Sequence, residues 1–161
     1  MSPKNRFENS GFNEEEPEKI EVSQWDEWKL VEGGQLAETT GLGPCFGVVI
    51  YDPETKRALV GHFTDPRVND FEGMLAEAKK LFNDLTKVKV CVGGGAPDPD
   101  DAPDFTDDKK KRKFVKDKLT ENGFQNPKID YQNSMDTTVL RVDTRNGNIE
   151  YDTESDWEDE D

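Results

Sequence analysis

The chain predicts an α+β fold: a layered, β-sandwich-like domain of mostly antiparallel strands with two helices packed on the sheet. Three observations predict it. Short apolar, β-branched runs recur in pairs joined by turn residues. Two segments between those pairs carry helix signals, one of them a stripe of apolar residues at helical spacing. The length of 161 residues suits a single modest core.

Residues 1–19 are polar and charged and read as a disordered acidic leader. Trp25, Trp28, Leu30 and Val31 mark the first buried strand, and Glu32-Gly33-Gly34 turns it into a second, Gln35–Thr39. That strand feeds a glycine-punctuated loop, Gly41–Cys45. The run Phe46–Tyr51, the breaker stretch Asp52–Arg57 and the run Ala58–Phe63 form a hairpin. Pro66 ends the ladder, and Asn69 or Asp70 can cap a helix whose residues Phe71, Leu75, Ala78, Leu81, Phe82 and Leu85 face the sheet. Val88–Val92 is a half-buried strand with Cys91 out of phase, a structural cysteine. Gly93–Gly95 then leads into an acidic, proline-stiffened loop, Ala96–Pro103. A second helix, capped by Asp107 or Asp108, runs to Glu121 and stops at Asn122-Gly123. Lys128–Tyr131 and Thr137–Val142 are strands, and Asn146-Gly147 turns the chain into a last strand, Asn148–Tyr151. The domain therefore spans 20–151, with an acidic tail over 152–161.

The net charge of −15 belongs to the ends of the chain. Residues 1–32 carry −5, residues 150–161 carry −8, and the segment between them only −2. Phosphate contact needs clustered positive charge, so a nucleic-acid partner is not expected. The basic run Lys109–Lys118 reads as a solvated face or a docking patch for an acidic partner. One histidine rules out a His-rich metal set, and no calcium loop is spaced correctly. The glycine run lacks the lysine and hydroxyl of a phosphate cradle, so no cofactor is expected. No stretch reaches membrane-spanning length, and two cysteines do not make a disulfide framework. With no secretory apolar segment ahead of the domain, a reducing, cytoplasmic setting is the expectation.

The chemistry points to Cys45 and the sole histidine, His62. If Tyr51 lies opposite Ala58, Gly47 faces His62, and period-two alternation brings Cys45 and His62 to one face of the hairpin. They would then sit diagonally, roughly 7–8 Å apart at the backbone, with Gly47 leaving that face open for the ring. A thiolate is a strong nucleophile and imidazole can take the thiol proton, so such a pair activates itself. Thr39, six residues before the cysteine, offers a hydroxyl to orient the ring.

The run Thr39-x-Gly41-Leu42-Gly43-x-Cys45, followed by a strand, Tyr51-Asp52-Pro53, a turn and Gly61-His62-Phe63, resembles the chemoreceptor glutamine deamidase family, CheD. That family shares a Cys–His hydrolase core with the cytotoxic necrotizing factor toxins. The resemblance runs from about Trp25 to Tyr151 and is concentrated in Thr39–His62. It implies a nucleophile at Cys45, a general base at His62 and a third triad member at Thr39. It also implies substrate or oxyanion contacts around Gly43, Pro44 and Gly61, and a protein substrate with an exposed glutamine. The family binds a CheC-type phosphatase, which implies a regulatory protein partner.

Several departures weaken the likeness outside the core. Pro44 stands where the family usually has serine, and proline has no N–H to offer an oxyanion. The family's helix entry is replaced by Lys109–Lys113, and its late glycine pairs by Gln132-Asn133 and Thr137-Thr138. The sequence thus carries three readings: a glutamine deamidase, or a transglutaminase if an amine replaces water; a module that kept the fold and binds a protein without catalysis; and a thiol redox protein. The last requires Cys45 and Cys91 to approach within disulfide distance.

Overall fold

All seven residues of the strand Phe46–Asp52 are buried, although a strand covered on one side buries only alternate residues. The reason is its position between two layers in the computed structural model, which describes residues 18–96, 106–131 and 138–153. In chain order the described elements are β1 (Lys19–Glu21), β2 (Trp28–Val31), β3 (Leu36–Thr39), β4 (Phe46–Asp52), β5 (Arg57–Phe63), α1 (Phe71–Leu81), β6 (Lys89–Gly94), α2 (Thr106–Glu121), β7 (Lys128–Tyr131), β8 (Thr138–Asp143) and β9 (Asn148–Thr153). Five strands form one sheet in the order β2-β5-β4-β6-β7, and four form the other in the order β9-β8-β3-β1. All pairings are antiparallel except β1 with β3 and β6 with β7. The α+β layered architecture is the one the sequence predicts.

The five-stranded sheet has a core on each face. Phe46, Val48, Ile50, Leu59 and Phe63 point to the helix side, where Phe71, Met74, Leu75 and Ala78 of α1 and Val115 and Leu119 of α2 cover them. Val49, Tyr51, Ala58 and Val60 point the other way and meet Ala37, Leu140 and Val142 of the four-stranded sheet. The β4–β5 register is Tyr51↔Ala58 and Gly47↔His62, as the turn length and hydrophobic pattern predict.

Several boundaries differ from expectation. Lys19 begins a strand, paired Lys19↔Leu36, so the leader does not reach it. Trp25 lies in a turn with 85% of its surface exposed, outside the first strand of the five-stranded sheet. α1 ends at Leu81, and Phe82 and Leu85 pack on the same core from beyond its end. Asp70 stands at the α1 N-cap without a side-chain capping bond. Its carboxylate instead accepts the Trp28 indole N–H at 3.1 Å. β6 continues through Gly93 and Gly94, and β9 continues to Thr153. The leader before residue 18, the loop 97–105, residues 132–137 and the tail after 153 lie outside the described residues.

Arg112 breaks the expectation of a uniformly solvated basic face on α2. Its guanidinium donates to the Gly95 carbonyl from Nε at 3.0 Å and Nη2 at 2.7 Å and lies 4.7 Å from the Tyr131 ring centroid. No helix among the described residues is long and apolar enough to cross a membrane.

The β4–β5 connection holds Lys56 at φ 57°, a left-handed conformation that costs a β-carbon-bearing residue about 1–2 kcal/mol. Glycine escapes that cost and gives back part of it in unfolded-chain entropy. Lys56→Gly is therefore expected to stabilise the protein by about 0.5–1 kcal/mol. Urea unfolding should show a raised midpoint at unchanged slope.

Candidate active site

Cys45 is the residue immediately before β4, and His62 is the next-to-last residue of β5. Both belong to the face that looks toward the four-stranded sheet: Cys45 packs against that inter-sheet core, and His62 follows Ala58 and Val60 at period two. Together they line one cleft of about 330 Å³, with Glu21, Val22, Trp25 and Glu38 among its other walls. His62 is 6% exposed, and Cys45 is half-buried.

Thr39 joins them from the opposite sheet. It is 1% exposed, and its Oγ1 lies 2.7 Å from His62 Nδ1 and donates to the Val22 carbonyl at 2.7 Å. A hydroxyl has one proton. With that proton given to Val22, Thr39 can only accept from the ring, so Nδ1 carries the hydrogen and Nε2 keeps its lone pair. The tautomer is the one a general base needs. The backbone is fixed as well: the His62 N–H donates to the Glu27 carbonyl at 2.8 Å, and the Glu27 carboxylate accepts the Asp70 N–H at 2.7 Å.

The loop bearing the cysteine is clamped by the end of β6 and the two residues that follow it. Gly95 and Ala96 donate their N–H groups to the carbonyls of Cys45 and Gly43, each at 2.9 Å. Gly94 sits at φ +80°, and a β-carbon there would collide with the carbonyls of Cys45 and Leu42. The hydroxyl of Tyr151 accepts the Gly94 N–H at 2.7 Å and ties this clamp to the last strand. The Gly93-Gly94-Gly95-Ala96 run is thus a brace for the loop that bears Cys45.

The other expected contacts are distributed differently. Gly43 is buried within the clamp, and Pro44 is half-buried beside Cys45; neither is among the residues lining the cleft. Gly61 faces away from the cleft, since a β-carbon there would strike the Phe63 ring at 2.5 Å on the helix side. It is a packing residue. Gly47 does not make room for the imidazole either. The side chains of Leu42 and Leu140 fill that notch, leaving only 2.7 Å from a β-carbon to Leu42 Cδ1.

Burial sets the charge state of the pair. Desolvation pushes the Cys45 thiol above its ordinary value, opposed by the nearby positive charge of Lys111. Desolvation pushes the His62 imidazolium below its ordinary value. Both shifts disfavour a thiolate–imidazolium ion pair and favour a neutral thiol and a neutral imidazole in the cleft they share. Alkylation of Cys45 by iodoacetamide is therefore expected to climb with pH through the alkaline range, with its midpoint above that of a free thiol. Lys111→Ala should move that midpoint further up. A rate already saturated below pH 7, measured by mass spectrometry, would contradict this charge state.

Lys111, the Val22 carbonyl and the Glu27 carbonyl escape sequence reasoning. The basic run was visible, but nothing in it singles out position 111, and backbone acceptors have no residue signature. Cys91 pairs with Val49, and Cys45 precedes Val49 by four residues, which sets the two cysteines roughly 14 Å apart and outside disulfide reach. Both are free thiols. Among the described residues no group of three His, Cys, Asp or Glu side chains is arranged to hold a metal ion.

A second cleft, about 290 Å³, lies on the outer face of the four-stranded sheet among Lys19, Glu38, Arg141 and Glu150. Glu38 is bonded there by Lys19 and by Arg141, each at 3.0 Å, and no thiol or imidazole lines it. Cys45 and His62 give the first cleft the stronger case for chemistry. No family model matches the chain, and no curated protein matches it.

Proposed function

We propose that the protein is a cysteine hydrolase that deamidates the side chain of a glutamine in a protein substrate, in a reducing cytoplasmic setting. The observation that carries the reading is the chain of contacts from Val22 through Thr39 to His62, which leaves Nε2 unprotonated in the cleft that Cys45 also lines. The choice of glutamine rests on the resemblance to CheD-type deamidases in Thr39–His62.

In this mechanism His62 Nε2 takes the Cys45 proton as Sγ attacks the side-chain amide carbon. The Cys45 backbone N–H stabilises the oxyanion, because Pro44 has none to offer. The tetrahedral intermediate collapses as the imidazolium returns its proton to the departing ammonia, leaving a thioester. Water, deprotonated by the same Nε2, attacks the thioester; thiol and glutamate are released. One water is consumed and one ammonia formed per turnover. Thr39 keeps the ring in one orientation through both half-reactions, the part usually played by a carboxylate.

The test is incubation with cell extract, followed by mass spectrometry for glutamine-to-glutamate conversion. Conversion that Cys45→Ser removes supports the proposal. A second reading, a protein-binding module without turnover, is favoured by the raised Cys45 pKa and by Pro44. It predicts that no such conversion occurs, and that a protein partner is still retained by Cys45→Ser.

A further inference from the structure

We propose that the cleft selects protein segments in which a basic residue, arginine above all, stands within a few positions of the reacting glutamine. This deepens the deamidase reading and rests on it. Trp25 and Glu21 would receive the basic side chain.

Trp25 is 85% exposed, one of only two large apolar side chains exposed to this degree among the described residues. It does not hang on a loose loop. Ser23 donates its N–H and its hydroxyl to the Asp26 carboxylate at 2.9 and 3.1 Å, Asp26 donates its N–H to the Ser23 carbonyl at 3.0 Å, and Trp25 donates its own N–H to Ser23 Oγ at 3.2 Å. A turn held by four hydrogen bonds therefore presents an indole to solvent, on the wall of the cleft that Cys45 and His62 line. Exposed aromatic area at such a place is recovered when a partner covers it.

The charge in the cleft selects the partner. Its described lining has two charged side chains, Glu21 and Glu38, and no cation. Glu38 is engaged by Lys19 and Arg141. Glu21 is exposed and its carboxylate makes no ion pair among the described residues; only its carbonyl is bonded, by Lys29 Nζ at 3.2 Å. An indole and a carboxylate with no ion pair among the described residues, both lining one cleft, are groups that hold a guanidinium, by cation–π contact and a charge-assisted hydrogen bond. Glu21 lies at the end of β1, opposite Glu38 in the register and on the outer side of that sheet. Lys111, whose charge acts on Cys45 and on Asp65, is not among the residues that line the cleft.

The experiment uses blocked alanine-based peptides with one glutamine and an arginine, alanine or glutamate scanned one to four residues to either side. Ammonia release gives kcat/KM with the full-length protein, and binding of the same peptides to Cys45→Ser is followed by calorimetry. The expected result is an arginine-over-alanine preference of about five- to tenfold at one spacing, and discrimination against glutamate. Glu21→Lys should invert the preference, and Trp25→Ala should reduce it toward unity. Deamidation with no dependence on the flanking charge, or a preference untouched by both variants, overturns the inference and leaves the deamidase reading standing. Arginine-selective binding without turnover, lost in Glu21→Lys, supports the recognition site and overturns the deamidase. Neither binding nor turnover for any peptide overturns both.

Discussion

Cys45→Ser is expected to bring ammonia release to background, and His62→Ala to lower kcat/KM by about 10²–10⁴-fold, the usual contribution of a positioned general base. Both variants should stay folded. Serine nearly matches cysteine in shape at a half-buried position, and alanine at position 62 leaves the β4–β5 ladder intact. The pH profile separates catalysis from simple disruption. Burial holds the His62 pKa below the ordinary histidine value of about 6.5, so the ring is neutral, and competent as a base, at pH 7. Activity should fall only as the pH drops below the ordinary histidine range and the ring protonates. Stability follows the same group. The unfolded chain binds the proton more readily, so the contribution of neutral His62 is complete above the unfolded pKa and is lost as pH falls toward the folded one. A profile of kcat/KM with its acid limb above pH 7 would be inconsistent with the buried imidazole.

Thr39→Val is expected to cost activity and stability together, and Thr39→Ser to restore most of both. Valine fills the space but removes the hydroxyl that bonds both Val22 and His62 in a fully buried site. The Val22 carbonyl and the His62 Nδ1–H each lose a partner, and a buried polar group left unsatisfied costs roughly 1–3 kcal/mol, which urea unfolding can resolve. The ring also loses the acceptor that keeps hydrogen on Nδ1, and the other tautomer carries an N–H at Nε2 in place of a lone pair. A loss of about 10²-fold in kcat/KM is expected, out of proportion to the change in stability. Serine keeps the oxygen and its single proton, so its pH profile should match that of the parent protein. If Thr39→Val retains full turnover, Thr39 serves packing alone.

The hairpin that places Cys45 and His62 on one face was legible because all its determinants are local: two apolar runs, a connection of fixed length and side-chain alternation. The helices were legible for the same reason, with Leu75 and Ala78 repeating at helical spacing and Asn122-Gly123 closing α2 through the Gly123 φ of +89°. Trp25 misled because aromatic residues usually mark buried strand positions, and here the Ser23–Asp26 turn removes it from the ladder. Gly47 and Gly61 misled because a glycine shows where a side chain is missing and not what fills the gap. Leu42 and Leu140 fill the first; Phe63 and Met74 fill the second.

By itself the sequence determined the α+β class, the register of the central hairpin and the shared face of thiol and imidazole, since each follows from contacts between near neighbours along the chain. Only the tertiary structure decided the state of that pair. The second sheet, built by pairing 36–39 with residues near 140, buries His62, keeps Thr39 against its Nδ1 and lets Val22 claim the hydroxyl proton. Protonation depends on what surrounds a group in three dimensions, and here those surroundings come from segments far apart in the chain, where no local pattern registers them.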